Sequence, residues 1–319
     1  MPDTKEFGVI GLGRMGGGLA LQAMEKGMRV VGMALAGASV ELREAGLVQV
    51  HDAAAFVAQL QSPRIVFLYI PAGPPVDQWL NTLAGMLQPG DIVVDGGNSY
   101  WGDSVRRSRR LKERGIYLVD LGTSGGVHGA RHGACFMAGG ERKAIQHLEP
   151  ILLPLSVEGG YVHAGAPGAG HFTKLVHNGI EFGMLQAIGE GMALLEHYRD
   201  KLDIANVLSC WRHGSVIRSW LIDLMHEAYT REGGLDKVPS YVEDTGEVNW
   251  LVDDALHMEV PTPVIANAVM QLIASRDEGK VWARAIAMMR HGFGGHPYGP
   301  SESIVEERRT GRAGGFVCD

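Results

Sequence analysis

The run Phe7-Gly-Val-Ile-Gly11-Leu-Gly13-Arg-Met-Gly16 constrains this chain more than any other. A short apolar strand (7–10) enters a glycine turn, and the turn opens a helix over 16–26. Arg29–Met33 then supplies a second strand and closes a βαβ unit. In such a unit the first glycine permits the tight turn, the second lets backbone approach a pyrophosphate, and the third lets helix pack on strand. The pyrophosphate would sit at the helix N-terminus, among free N–H groups at the positive end of the dipole. Gly11, Leu12, Gly13, Arg14, Met15 and Gly16 are therefore the expected contacts to a dinucleotide.

Strand and helix patterns alternate through the first half. Helical spacing covers 40–45 and 51–59; 64–70 is a continuous apolar run suited to a strand buried on both faces. Pro71-Ala-Gly-Pro-Pro75 ends it, and 76–87 is again helical. A strand at 91–94 leads to Asp95-Gly-Gly-Asn98-Ser99, followed by a helix over 104–113 and a strand over 117–120. Segments 134–138 and 161–163 read as further strands. This alternation with short connections predicts a parallel sheet. After about Gly170 the pattern turns helical, over 172–198, 205–210, 216–230, 248–256, 262–276 and 279–289, with no strand. The expected fold is an α/β Rossmann-type doubly wound N-terminal domain, residues 1–168, plus an all-α C-terminal domain, 169–319, for substrate binding and oligomerisation. Met33, Ala34, Tyr69, Ile70, Pro71 and Asn98 stand at the strand ends where a cofactor would lie. An acid after the second strand favours NAD, and an arginine favours NADP. Val31 to Ser39 carries neither, and the first basic group is Arg43, so NAD or NADP is expected with the balance tilted slightly to NAD.

Bulk properties exclude several classes. With 45% apolar and 20% charged residues the chain is globular rather than disordered. It has no uncharged apolar run of about 18 residues, so no membrane span is expected. The segment Met1-Pro-Asp-Thr-Lys-Glu shows no signal-peptide character, and three scattered cysteines suit a reduced, cytoplasmic setting. A net charge of −7 argues against nucleic acid as a partner. Arg106-Arg-Ser-Arg-Arg110 reads as a solvated helix face, and Cys135 as a small buried residue. His128 and His132 have i, i+4 spacing without a nearby third ligand, so no metal is expected. Thr310 to Asp319 is a glycine-rich tail.

The chemistry is carried by Lys174-Leu-Val-His177-Asn178-Gly-Ile-Glu181. Lys174, Asn178 and Glu181 stand at i, i+4 and i+7 and share one helix face. A lysine and a carboxylate on an apolar helix suggest an acid/base pair. With Asp95-Gly-Gly-Asn98-Ser99, Gly122-Thr-Ser124-Gly125-Gly126 and Arg290-His-Gly-Phe293-Gly-Gly-His296, this stretch resembles the 6-phosphogluconate dehydrogenases (decarboxylating) in order and spacing, over about residues 7–298. Within the β-hydroxyacid dehydrogenases the lysine helix is specific to that family, and the chain is similar to the short form that lacks an extra helical repeat.

The resemblance implies oxidation of a 3-hydroxy acid at C3, loss of CO2 from the resulting β-keto acid, and reprotonation of an enediol. Lys174 would take the hydroxyl proton and then stabilise the oxyanion, and Glu181 would protonate C1. Asn98, Ser124, Gly125 and Gly126 would hold the substrate carboxylate and hydroxyls, while His177 and Asn178 orient the C3 hydroxyl. Arg276 and Arg290 would clamp the phosphate of a sugar-acid phosphate. Arg290 and His296 would reach into a neighbouring subunit's site, making the protein a homodimer or homotetramer. Two departures bear on the phosphate: many relatives have a tyrosine after the glutamate, whereas Phe182 has no hydroxyl, and Val127 and Glu247 stand where longer relatives often carry a glutamate and a lysine. The alternative reading is a β-hydroxyacid dehydrogenase that oxidises another 3-hydroxy acid without decarboxylation, a reaction that needs no acid at C1.

Overall fold

The computed structural model describes residues 5–302. The glycine-rich tail, Cys318 and the first four residues lie outside them. Contacts divide the chain into two compact units: one runs up to Gly179 and takes in Gly246–Glu259, and the other holds Ile180–Thr245 and the chain from Val260.

The first unit is built on an eight-stranded sheet. Its strands are β1 (Glu6–Ile10), β2 (Arg29–Met33), β3 (Val48–Gln49), β4 (Ile65–Leu68), β5 (Ile92–Asp95), β6 (Tyr117–Ser124), β7 (Ala134–Gly139) and β8 (Ser156–Gly165). Their spatial order is β3-β2-β1-β4-β5-β6-β7-β8. All neighbours are parallel except β6 and β7, which pair antiparallel, so the sheet is mixed rather than wholly parallel as the alternation predicts. The short helix α6 (Gly126–His132) between β6 and β7 returns the chain instead of crossing it over.

Period-two alternation makes both faces of this sheet apolar. Phe7, Val9, Ile92 and Val94 point into one core layer, with Leu19 and Ala23 of α1 (Arg14–Glu25) and Leu148 and Leu152 of α7 (Arg142–Leu155). Ile10 and Val93 point into the other, with Phe56 of α3 (Ala53–Ala58), Leu80 of α4 (Pro74–Ala84) and Leu111 of α5 (Trp101–Lys112). Each such fully buried side chain contributes about 1.5–3 kcal/mol. The helices start where capping chemistry allows. Ser39 and Asp52 accept backbone N–H groups ahead of α2 (Val40–Glu44) and α3, and Pro74 and Pro75 occupy the first turn of α4. The sheet order reverses between β1 and β4, which opens the crevice where doubly wound folds place ligands.

The helical segments are α6 (Gly126–His132), α8 (Ala169–Glu196), α9 (Ile204–Arg212), α10 (Trp220–Glu232), α11 (Glu247–His257), α12 (Pro263–Arg276) and α13 (Val281–Gly294). The division between units falls within α8, and α11 belongs to the first unit. In the second unit Met192, Ile204 and Leu208 form a small core flanked by Met225 and Tyr229. α10 starts four residues later than its hydrophobic spacing suggests, because Ser219 caps it by accepting from Ile222 N–H.

Two expectations about side chains fail. Arg107 in the basic run is fully buried: its Nε and Nη2 bind Asp77, Nη2 also binds the Gly73 carbonyl, and Nη1 lies 3.7 Å from Asp95. Within the stretch Arg106 and Arg109 face solvent while Arg107 and Ser108 turn inward, and an arginine can be buried only with such partners. Cys135 is exposed, since it sits on the outward phase of β7.

Candidate active site

The nucleotide end follows from three glycines. Gly11 has φ +97°, and a Cβ there would run into the Tyr69 carbonyl; a Cβ on Gly16 would meet the Gly11 carbonyl. A Cβ on Gly13, the N-cap of α1, would meet nothing within 4 Å, and no acid stands in the helix's first turn. Open backbone at an uncapped helix start fits a pyrophosphate. Gly11 N–H donates to the Met33 carbonyl at 2.9 Å, and Tyr69 N–H to the Ile10 carbonyl at 2.9 Å, so the ends of β1, β2 and β4 meet at this crevice. The Tyr69 side chain is spent on packing. Burial pushes its hydroxyl up to about 12, it pairs with Thr123 Oγ1 at 3.1 Å, and its ring abuts Gly96. After β2, Ala34 is half-buried and Leu35 fully exposed, while Arg43 turns back to bind the Ala38 carbonyl at 2.7 Å.

Beside β5 and β6 lies a small, partly open cavity lined by Asn98, Ser99, Lys174, Asn178, Glu247 and Trp250, together with His171 and Leu175. Asp95, wholly buried, holds the turn that presents Asn98. It accepts from Ser99 Oγ at 2.7 Å and from Gly97 N–H at 3.2 Å.

β6 sets the position of α8. Asp120 accepts the N–H groups of Gly168 at 2.6 Å and His171 at 2.8 Å, satisfying free donors at the helix start. Burial pushes this carboxyl above its ordinary range, against the pull of His171 and of those N–H groups. Two residues on, Gly122 offers no side chain, and the stem of Lys174 lies against it. Two further on, Ser124 Oγ meets His177 Nε2 at 3.0 Å.

Lys174 is only 9% exposed, so its ammonium depends on these partners. Nζ donates to Asn178 Oδ1 at 2.6 Å and lies 3.4 Å from His177 Nδ1. The tautomer with Nε2–H donating to Ser124 leaves Nδ1 to accept from Lys174. Asn178 Nδ2 donates to Glu247 Oε1 at 3.4 Å, which turns the amide so that its carbonyl faces the lysine.

The structure thus brings together Asn98, Ser124, Lys174, His177 and Asn178, all in the first unit. Gly125 (φ +104°) and Gly126 (φ +58°) form the left-handed turn into α6. Glu181, Arg276, Arg290 and His296 belong to the second unit. There Arg276 ends α12 paired with Asp244 at 2.9 Å and Glu243 at 3.6 Å, Arg290 is exposed on α13, and His296 follows that helix's left-handed cap Gly295. The sequence marks Glu247 only as a departure, where longer relatives often carry a lysine, and assigns no role to Ser99, His171 or Trp250. Ser99 sits inside a motif already quoted and His171 lies three residues before Lys174, but nothing near Trp250 links it to a site about seventy residues earlier. The rings of His128 and His132 lie tilted with centroids 4.8 Å apart, and no group of three potential metal ligands occurs among the described residues.

A doubly wound sheet with this glycine crevice, beside a buried lysine in a polar cavity, defines an NAD(P)-dependent oxidoreductase. Residues 6–162 match the model of the NAD binding domain of 6-phosphogluconate dehydrogenase, and residues 170–307 match that of the enzyme's C-terminal domain. The chain belongs to the 6-phosphogluconate dehydrogenase family. It is 41% identical over 292 residues to YqeC of Bacillus subtilis, provisionally named a 6-phosphogluconate dehydrogenase, covering 91% of this chain and 98% of that protein. It is 38% identical over 294 residues to the NAD(+)-dependent, decarboxylating 6-phosphogluconate dehydrogenase of Haloferax volcanii, covering 91% and 97%. Among solved structures, Plasmodium falciparum 6-phosphogluconate dehydrogenase superposes with TM-score 0.78 at 27% identity, over 94% of this chain but 68% of that longer one. The chain thus spans nearly the whole of the two curated relatives and about two thirds of the Plasmodium enzyme.

Proposed function

We propose that this chain converts 6-phosphogluconate to ribulose 5-phosphate and CO2 with reduction of NAD or NADP, in the cytoplasm and without a metal. The observation that carries the reading is the Lys174 ammonium, buried and held 2.6 Å from Asn178 in the cavity lined by Asn98 and Ser99. A dinucleotide bound at Gly11–Gly16 supplies the hydride acceptor for C3. Lys174, once neutral, removes the C3 hydroxyl proton while His177 and Asn178 hold that oxygen. Protonated again, it steadies the oxyanion as CO2 leaves, and Glu181 delivers the proton to C1 of the enediol. Asn98 and the Ser124-Gly125-Gly126 turn receive the carboxylate through short polar groups and backbone N–H donors. Arg276 and Arg290 clamp the phosphate, for which Arg276 exchanges its carboxylate partners for phosphate oxygens. The dinucleotide domain is residues 1–168 and the substrate and oligomerisation domain is 169–319. With no acid or free arginine after β2, NAD is favoured over NADP.

Steady-state assays of 6-phosphogluconate and gluconate, each with NAD and NADP, test all of this. Turnover of the phosphorylated acid with one CO2 per reduced cofactor is expected. Reduced cofactor without CO2 would favour simple oxidation, and turnover of gluconate alone would remove the phosphate clamp.

The protein works as a homodimer or homotetramer, with Arg290 and His296 completing a neighbour's site. Support comes from α13, which buries none of its residues and exposes Val281, Trp282, Met288, Met289 and Phe293. An apolar face of that kind needs a partner. Sedimentation equilibrium is expected to give two or four chains per particle, and a monomer at micromolar concentration would refute the shared site.

A further inference from the structure

α11 stands apart from the rest of the first unit. The chain before it, up to Thr245, and after it, from Val260, belongs to the second unit. Both crossings are marked by left-handed residues, Gly246 at φ +79° and the non-glycine Glu259 at φ +54°. A left-handed glutamate is uncommon and costs free energy, so the surrounding structure must hold it. No covalent neighbour within its own unit anchors α11. Side chains do, and the helix brings two of them, Glu247 and Trp250, into the wall of the Lys174 cavity.

What fixes the helix is Asp254. It is 6% exposed and accepts from Tyr100 Oη at 2.9 Å and from Trp101 Nε1 at 2.7 Å, with one donor to each oxygen. Both donors stand at the start of α5, directly after Asn98 and Ser99. Rings close around the pair: Tyr100 meets Trp250 edge-on at 5.7 Å, and Trp101 meets Phe172 of α8 at 5.8 Å. Burial, then the bond to Asp254, pushes the Tyr100 hydroxyl up to about 12, so it remains a donor across the working pH range. A buried carboxylate with two aligned donors is a strong, directional anchor. Val248, Leu251 and Ala255 add apolar contact, but apolar contact alone does not fix register.

We propose that Asp254 is a positioning residue for the substrate site. By latching α11 to Tyr100 and Trp101 it sets Glu247 and Trp250 against Asn98, Lys174 and Asn178, and Glu247 in turn orients the Asn178 amide. The cofactor crevice at Gly11–Gly16 has no part in the latch. This rests on the reading of the Lys174 cavity as the sugar-acid site.

The test compares Asp254→Leu, Asp254→Asn and the triple variant Asp254→Leu/Tyr100→Phe/Trp101→Phe in the full chain. Asp254→Leu is expected to raise KM for 6-phosphogluconate about tenfold, with kcat less affected and the NAD(P)H dissociation constant unchanged. Asp254→Asn keeps one acceptor and falls between it and wild type. Hydrogen exchange across residues 247–257 speeds up in the same order. The triple variant has no orphaned donors, so it regains thermal stability while KM stays high. A triple variant whose KM returns along with its stability would show a packing role only and overturn the proposal. So would unchanged KM and exchange in Asp254→Leu. If that variant does not fold, Tyr100→Phe, which removes one donor, replaces it with a smaller rise of about threefold. Absence of 6-phosphogluconate turnover in the wild type would withdraw the substrate reading, and the exchange data would still judge the latch.

Discussion

Lys174→Met lowers kcat by about 10⁴-fold or more while the dinucleotide still binds with wild-type affinity. The methionine fills the space of the aliphatic stem against Gly122, so the fold is kept and only the amine is lost. Lys174→Arg gives a nearly equal loss, because a guanidinium keeps the charge but cannot serve as a neutral base. Steady-state rates measured beside a fluorescence titration of NAD(P)H check both. Turnover within tenfold of wild type in the arginine variant would show that Lys174 acts only as a fixed charge.

Gly122→Ala is the less obvious prediction, and it follows from geometry. A Cβ at Gly122 would stand 2.5 Å from Lys174 Cβ and 3.0 Å from the Gly170 carbonyl. Carbon atoms rest at about 3.5–4.0 Å, so α8 must withdraw by about 1 Å to admit the methyl. A shift of that size at a catalytic group costs about 10²-fold in rate. The stability cost of overpacking is about 1–3 kcal/mol, partly offset by the backbone entropy that alanine saves in the unfolded chain. The variant therefore folds and binds cofactor yet turns over slowly. Measuring kcat alongside the unfolding midpoint checks this, and a rate within twofold of wild type would mean that the lysine's position does not depend on the strand beneath it.

Periodicity made the βαβ half of the fold readable. β2 occupies the residues that its apolar run marks, and β1 differs by one. α7 was not foreseen, because Pro150 and Pro154 break its helical pattern, yet Leu148, Ile151, Leu152 and Leu155 bury it against the sheet. Packing there outweighs two missing N–H groups. The antiparallel β6–β7 pair was hidden for another reason: strand direction is set by the connection, and α6 is too short to announce itself. In the site, Lys174, His177 and Asn178 were legible because one helix carries them at fixed spacing. Asn98 and Ser124 were legible through glycine-marked turns. Trp250 and Asp254 were not, since nothing local on α11 distinguishes a cavity wall from an ordinary amphipathic helix, and Glu247 stood out only against its counterpart in longer relatives.

β6 works as a ruler for α8. Asp120, Gly122 and Ser124 are alternate residues of one strand, and they meet the first turn of α8, then Lys174, then His177. Two strand residues advance about 6.7 Å and one helical turn about 5.4 Å, close enough for three graduations to match before the two drift apart. Slipping the strand by a single residue would turn all three graduations to the opposite face at once. A chain of this design can drift in composition around Lys174, yet one inserted or deleted residue between Asp120 and Ser124 would throw the whole alignment out.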